Sequence, residues 1–330
     1  MTKPPAPPEI SAPLARFHGE KPPAPAWFND AIAVEPERFT VEAKGAEIEC
    51  LAWGERGKPG LLFVHGASAH ADWWSFIAPF FATEYRVAAL SLSGMGGSGW
   101  RDTYDFLTFA EEMDACARTA GLYDSGEAPV YIGHSFGGAV VYVAALAHPE
   151  RMRATILLDT GFGGPPPPTD GETTSDAAKD DVRPTERKLP QARVYPTLTE
   201  ALARFRFLPA QPAGELYVAD FIARRSLKKA PLADGSGEGW TWRFDPMLFP
   251  KLDRSGLVAL MGKRPGPAIH IHGDRSQVIA RHGVRPKQLD PSIPSVAIPD
   301  SDHHVMVDQP LAVVTAIRTA LAYWPYQSAG

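Results

Sequence analysis

The chain has 330 residues, 44% hydrophobic and 22% charged, which is long for one compact unit but natural for an α/β core carrying an insertion. A formal charge of −5 leaves no basic footprint and argues against a nucleic-acid partner. No run of about 18 apolar residues exists to span a bilayer, and the start Met-Thr-Lys-Pro-Pro-Ala-Pro-Pro lacks the apolar core of a secretory signal, so a cytoplasmic protein without a membrane partner is expected. Its two cysteines, Cys50 and Cys116, show no metal or redox spacing and read as reduced packing residues.

Residues 1–36 read as a Pro-rich N-terminal arm. Its first 26 residues or so have no hydrophobic period and are expected to be extended, either mobile or draped over the body, with Trp27 and Phe28 as end anchors. Alternation through Phe39-Thr40-Val41-Glu42 and again over 47–51 predicts two strands joined at Lys44-Gly45. The continuous apolar run Leu61-Leu62-Phe63-Val64 predicts a strand buried on both faces, as in a parallel sheet. It ends in His65-Gly66-Ala67, and a helix-like segment starts at Asp72-Trp73-Trp74 and reaches Phe81. A strand is predicted over 85–90, a Gly-rich loop over 91–98 and a helix over 106–120. Residues 129–132 read as a short buried strand, 133–137 as a sharp turn, 139–147 as a helix, and 154–158 as a further buried strand closing on Asp159.

This alternation predicts an α/β fold with a mostly parallel, doubly wound sheet. Ligands of such sheets bind beyond the carboxyl ends of the strands, where His65-Gly66-Ala67, Ser135 and Asp159 all fall. The rhythm breaks at Gly163-Gly164 and the four prolines 165–168. Residues 161–262 are therefore assigned to an inserted helical cap, with helical character at 198–207 and 215–227 and a loop at 235–239. The core is assigned to 37–160 and 263–330, resuming with strands at 268–272 and 295–298 and a last helix from 308 to about 323.

The turn reads Gly133-His134-Ser135-Phe136-Gly137, the G-x-S-x-G spacing in which small residues let strand and helix approach while a strained serine points outward. A serine hydroxyl becomes a nucleophile only when a base takes its proton and a carboxylate fixes that base. His303, between the last strand and the last helix, stands where such a base is required, with His304 as the fallback. The developing oxyanion needs backbone N–H donors, and Phe136 and Ala67 offer them.

These motifs, with Trp74 and Pro79 after His65-Gly66 and with Asp308-Gln309-Pro310 after His303, resemble the α/β-hydrolase superfamily, most of all bacterial members with an inserted cap. The resemblance covers about residues 38–160 and 266–325. It implies a catalytic triad and calls for no cofactor or metal. Two departures stand out. Members commonly carry Asp where Ser91 stands, and the triad acid usually follows the penultimate core strand as Gly-x-x-Asp, whereas this chain reads Gly273-Asp274-Arg275-Ser276. Asp159 resembles the relocated acid of hydrolases with Gly-x-x-Ser at this place; Asp274 is the alternative, followed by Asp300 or Asp302.

The expected reaction is hydrolysis of a carboxylic ester or lactone through an acyl-enzyme. Hydrolysis of a carbon–carbon bond beside a ketone, acyl transfer and a non-catalytic receptor are the alternatives. A serine at the elbow argues against dehalogenase or epoxide hydrolase chemistry, which in this superfamily uses Asp there. Trp73, Trp74, Phe136, Trp240, Trp242 and Phe244 are candidates for an aromatic pocket, which favours a hydrophobic or aromatic small-molecule substrate as the partner.

Overall fold

Apolar five-residue runs cannot leave either face in water, and they pair side by side at the centre of one eight-stranded sheet. In the computed structural model, which describes residues 7–161, 193–260, 263, 265–281 and 293–324, the strands are β1 (Glu37–Ala43), β2 (Ala46–Trp53), β3 (Gly60–Val64), β4 (Arg86–Leu90), β5 (Val130–His134), β6 (Ala154–Leu158), β7 (Ala268–Gly273) and β8 (Ser295–Ile298). Their spatial order is β1-β2-β4-β3-β5-β6-β7-β8. Only β1–β2 and β2–β4 pair antiparallel; every later neighbour is parallel. Lys44 and Gly45 both take positive φ in the β1–β2 turn, and Glu42 Oε1 accepts the Gly45 N–H at 2.8 Å.

Strand periodicity divides the core into two layers. Leu61 and Phe63 face a cluster that includes Trp74, Phe76 and α4 (Pro310–Tyr323), whereas Leu62 and Val64 face α1 (Phe106–Ala120) and α2 (Phe136–Ala147). Asp105 caps α1 by accepting the Thr108 N–H at 2.8 Å, and Gly121 ends it in the left-handed conformation. Cys50 and Cys116 are buried free thiols in the second layer.

The insertion holds a short helix at Leu198–Leu202, the longer α3 (Leu216–Arg225), and a hairpin of Leu227–Pro231 with Glu238–Trp242 that helical spacing did not predict. Residues 203–207, expected to continue the first helix, leave it and bury Phe205 and Phe207 in alternation with exposed Arg204 and Arg206. The Gly-Gly and tetraproline segment lies outside the described residues. Of the arm, residues 7–36 are draped over the body and include a helix at Ala26–Ala33. Phe28 packs at 4.8 Å from Tyr217 and 5.7 Å from Phe221 of α3, and Arg224 donates to the Gly19 carbonyl at 2.6 Å.

Arg86 opens β4 fully buried, a residue that an apolar strand pattern gave no reason to single out. Its guanidinium donates to the carbonyls of Ala120 (2.7 Å) and Gly54 (2.6 Å) and forks onto Glu37, both bonds at 2.8 Å. Glu37 is mostly exposed, so its charge contributes little and the orphaned carbonyls dominate. In urea unfolding, Arg86→Met is expected to lose about 2–4 kcal/mol, and Glu37→Gln less than about 1 kcal/mol.

Candidate active site

The β5–α2 turn is tight because glycines make it so. A Cβ at Gly133 would stand 2.5 Å from the Gly137 carbonyl oxygen, and one at Gly137 would strike the His65 carbonyl. Ser135 between them is held at φ 52° and ψ −118°, a strained conformation that carries its hydroxyl out of the strand-to-helix path. Its N–H donates to the Leu158 carbonyl at 2.9 Å, which ties the turn to β6.

The loop from β8 to α4 delivers His303. His134 Nε2 donates to the His303 carbonyl at 3.0 Å, Gln211 of the insertion accepts the His304 N–H at 2.8 Å, and Asp308 accepts the Asp302 N–H at 2.8 Å. Gln211 also donates to Asp308 at 3.1 Å, so one side chain of the β6–β7 segment braces two points of this loop. His303 Nε2 lies 2.9 Å from Ser135 Oγ, and its Nδ1–H donates to Asp159 Oδ1 at 2.7 Å.

Asp159 is fully buried at the end of β6, at φ 43°. Besides His303 it accepts the Gly273 N–H on Oδ2 (2.8 Å) and the Ser276 hydroxyl on Oδ1 (2.6 Å). Asp274 does not reach the imidazole: it is exposed and accepts the Ser301 N–H at 3.2 Å. Asp300 is exposed too and faces Arg275, and Asp302 meets Asp308 only through its backbone. The other departure is compensated in the same way. Ser91 donates to Glu49 at 2.7 Å, and Glu49 also accepts the Gly97 N–H and pairs with Arg243 of the insertion at 3.0 Å, so the carboxylate absent from position 91 is supplied by β2.

Phe136 begins α2, where an N–H has no acceptor within the helix. Its ring packs on Phe106, Phe109 and Phe249, as core rather than as pocket wall. Ala67 lines a cavity of about 210 Å³. The loop carrying it is pinned by His65, whose Nδ1–H donates to the Gly66 carbonyl at 2.7 Å while Nε2 accepts the Leu92 N–H at 3.0 Å.

Of the aromatic candidates, Trp73, Trp242 and Phe244 line this cavity. Trp74 does not: it is sealed in the core 5.0 Å from Phe63. Trp240 is also elsewhere: it shares a strand face with Trp242 but sits two residues further along the hairpin, opposite Lys229, whose ammonium lies 4.3 Å from the ring. Tyr195, Phe205, Phe207, Ser226 and His304 also stand in the wall. His304, the fallback base, makes no ring hydrogen bond to Ser135 and stands in this wall instead; the other four carry little local signal, because cavity membership follows the bend of residues 203–208 across the sheet edge and the Phe-x-Phe alternation is the one cue in the sequence. A larger cavity of about 520 Å³ lies at the amino end of β7, remote from Ser135.

His134, His303 and His304 are a histidine trio whose nitrogens come within 4.8 Å of one another. Both nitrogens of His303 are already engaged by Asp159 and Ser135, so a three-histidine metal site would have to break that chain.

The family model described as "Alpha/beta hydrolase family" matches residues 61–316. The chain belongs to the alpha/beta hydrolase family. It is 33% identical over 129 residues to the fluoroacetate dehalogenase of a Burkholderia species (37% of this chain, 40% of that protein). To lipase LipV of Mycobacterium tuberculosis it is 34% identical over 108 residues (32% of this chain, 39% of that protein). These matches thus span about 40% of the relatives' length. The solved thioesterase domain from the curacin biosynthetic pathway superposes with a TM-score of 0.65 at 21% identity, covering 86% of this chain and 99% of that domain, which is a likeness of fold. Among the described residues, no helix is long and apolar enough to cross a membrane.

In this alpha/beta hydrolase the histidines around His303 are kept neutral. Burial pushes His65 and His134 down to about 3 and His70 to about 4, and holds His304 well below its usual range. Below pH 6.5 an unfolded chain binds protons at these positions while the folded chain does not, so the stability they contribute falls as the pH drops. Asp308, pushed up to about 6 by burial, and Glu112, raised by the same cause, act in the opposite sense but are outnumbered by the lowered histidines. Melting temperature is therefore expected to fall from pH 7 to pH 5. In His134→Phe that fall should be smaller, by the equivalent of about 2 kcal/mol.

Proposed function

We propose that the protein is a serine hydrolase that cleaves a carboxylic ester or lactone of a hydrophobic or aromatic small molecule through an acyl-enzyme. The observation that carries this is the unbroken hydrogen-bond chain from Ser135 through His303 to Asp159, at 2.9 and 2.7 Å. In the proposed cycle His303 Nε2 takes the Ser135 proton as Oγ attacks the carbonyl, and Asp159 holds the Nδ1–H tautomer and offsets the imidazolium charge. The N–H groups of Phe136 and Ala67 receive the oxyanion. His303 then protonates the leaving group and activates the water that releases the acid. Neutral neighbours favour this step, because a second cation 4.8 Å away at His134 would oppose the charge His303 must carry.

The serine also favours one of the activities that the relatives' names offer. Displacement of a halide from a saturated carbon by a serine hydroxyl would leave an ether, which the triad cannot hydrolyse, whereas an acyl-serine is an ester and turns over. The lipase name is in line with that chemistry. The aromatic wall of the cavity supports an apolar substrate.

A fluorophosphonate is expected to add covalently to the wild type and not to Ser135→Ala, as read by intact mass; an unlabelled wild type would overturn the nucleophile. With aryl esters, Asp159→Asn should lower turnover by about 10⁴-fold, and Asp274→Asn by less than about tenfold, since its exposed side chain meets loop amides, chiefly that of Ser301, and not the imidazole. If Asp159→Asn keeps more than a tenth of the activity, Asp159 is not the triad acid.

A further inference from the structure

The loop that carries the base is held by side chains. Ser301 to His304 lie between β8 and a short helix at Val305–Asp308, in neither strand nor helix. The Asp302 N–H, the His303 carbonyl and the His304 N–H each meet a buried side chain instead, Asp308 Oδ2 at 2.8 Å, His134 Nε2 at 3.0 Å and Gln211 Oε1 at 2.8 Å. The backbone on both sides of His303 is therefore tethered, and two of the three tethers form one unit.

Gln211 is 4% exposed and Asp308 8% exposed. The Gln211 carboxamide uses its oxygen on the His304 N–H and its nitrogen on Asp308, 3.2 Å from Oδ1 and 3.1 Å from Oδ2. Oδ1 also accepts the Gly214 N–H at 3.1 Å, and a Cβ at Gly214 would stand 2.7 Å from the Asp308 Cα, so the chain at 211–214 is pressed onto this carboxylate. These donors are all neutral amides, and the arrangement depends on their geometry. A buried amide deprived of its acceptor is driven to move until it finds water or another one, and His303 is the adjoining residue.

Gln211 also follows directly on the cavity wall. Phe205, Phe207 and Leu208 line the cavity, and the Phe207 ring packs on the His304 imidazole at 4.8 Å. One stretch of chain thus faces the cavity and touches the base loop through both a ring and an amide. We propose that Gln211 and Asp308 form a clamp that positions His303 for proton transfer from Ser135, which makes the segment that walls the cavity a determinant of turnover. The proposal rests on the serine-hydrolase reading above and deepens it. Both are positioning residues, acting through the backbone of the base.

The experiment measures kcat and KM on an aryl ester for wild type, Gln211→Met, Gln211→Asn and, as a stability control, Arg86→Met. Methionine keeps the length of the side chain without its amide, and asparagine keeps an amide that is one methylene too short. Gln211→Met is expected to lower kcat by about 10- to 100-fold and Gln211→Asn by about threefold or more, with KM changed less than about threefold in both. Arg86→Met should melt lower and keep its kcat. If Gln211→Met does not fold, Gln211→Asn carries the comparison. Gln211 variants that keep more than half of kcat, or a loss matched by Arg86→Met, overturn the clamp. A second readout is the downfield proton resonance of His303 Nδ1–H in its bond to Asp159, assigned by its loss in His303→Gln. It should be present in wild type and Arg86→Met and be shifted or lost in the Gln211 variants. This signal needs no turnover and so separates the two failures. If no ester is cleaved and a fluorophosphonate leaves Ser135 unlabelled, the hydrolase reading has failed and the clamp is judged on the resonance alone. A resonance unchanged in the Gln211 variants, or absent from the wild type, overturns it.

Discussion

Asp159 holds a carboxylate from which all solvent has been removed, and a buried anion is tolerated only where donors replace the lost water. Three do so: the Gly273 amide, the Ser276 hydroxyl and His303 Nδ1–H. That requirement sets much of the surrounding architecture. β7 must lie beside β6 for its last amide to reach Oδ2, and the β8–α4 loop must return over the sheet edge to present the imidazole. It also accounts for the serine at 276. An aspartate there would set a second carboxylate against the first, whereas a hydroxyl donates to it.

Both departures from the family pattern follow one rule, in which a carboxylate changes strand and a serine at the vacated position becomes its hydrogen-bond donor. Ser276 serves Asp159 on β6, and Ser91 serves Glu49 on β2. Glu49 then reaches Arg243, Asp72 pairs with both Arg38 and Arg225, and Gln211 joins Asp308 to the His304 backbone. The insertion is thus tied to the core by charged and amide contacts at the loops that position the triad. The neutral histidines lie inside this frame, where burial spares His303 a competing cation.

Local signals were legible wherever a short stretch carries its own constraint. The apolar runs of β3 to β6, the glycines around Ser135 and the loop position of His303 depend on neighbours a few residues away. Asp159 was preferred to Asp274 on the resemblance alone, because the physical distinction lies in which carboxylate is dry and faces Nδ1. Trp74 and Trp240 do not reach the cavity for local reasons: Trp74 turns from its neighbour Trp73 into the core, and Trp240, on the same strand face as Trp242, sits two residues beyond it under Lys229. The helix expected over 198–207 ends early because Phe205 and Phe207 gain more by packing on Trp242 and Trp73 than a continued helix would allow.

By itself, then, the order of residues determined the α/β class and the elbow with its serine, and it singled out His303, Phe136 and Ala67 as candidates beside it, since periodicity and turn chemistry act over short separations. Seating Asp159, the acid already preferred from the sequence, dry against Nδ1, fitting Glu49 to Ser91, and gathering Trp73, Phe207 and His304 around one cavity all required the folded chain. Burial, desolvation and ring-to-ring approach are properties of segments 20 to more than 200 residues apart brought to the same few ångströms.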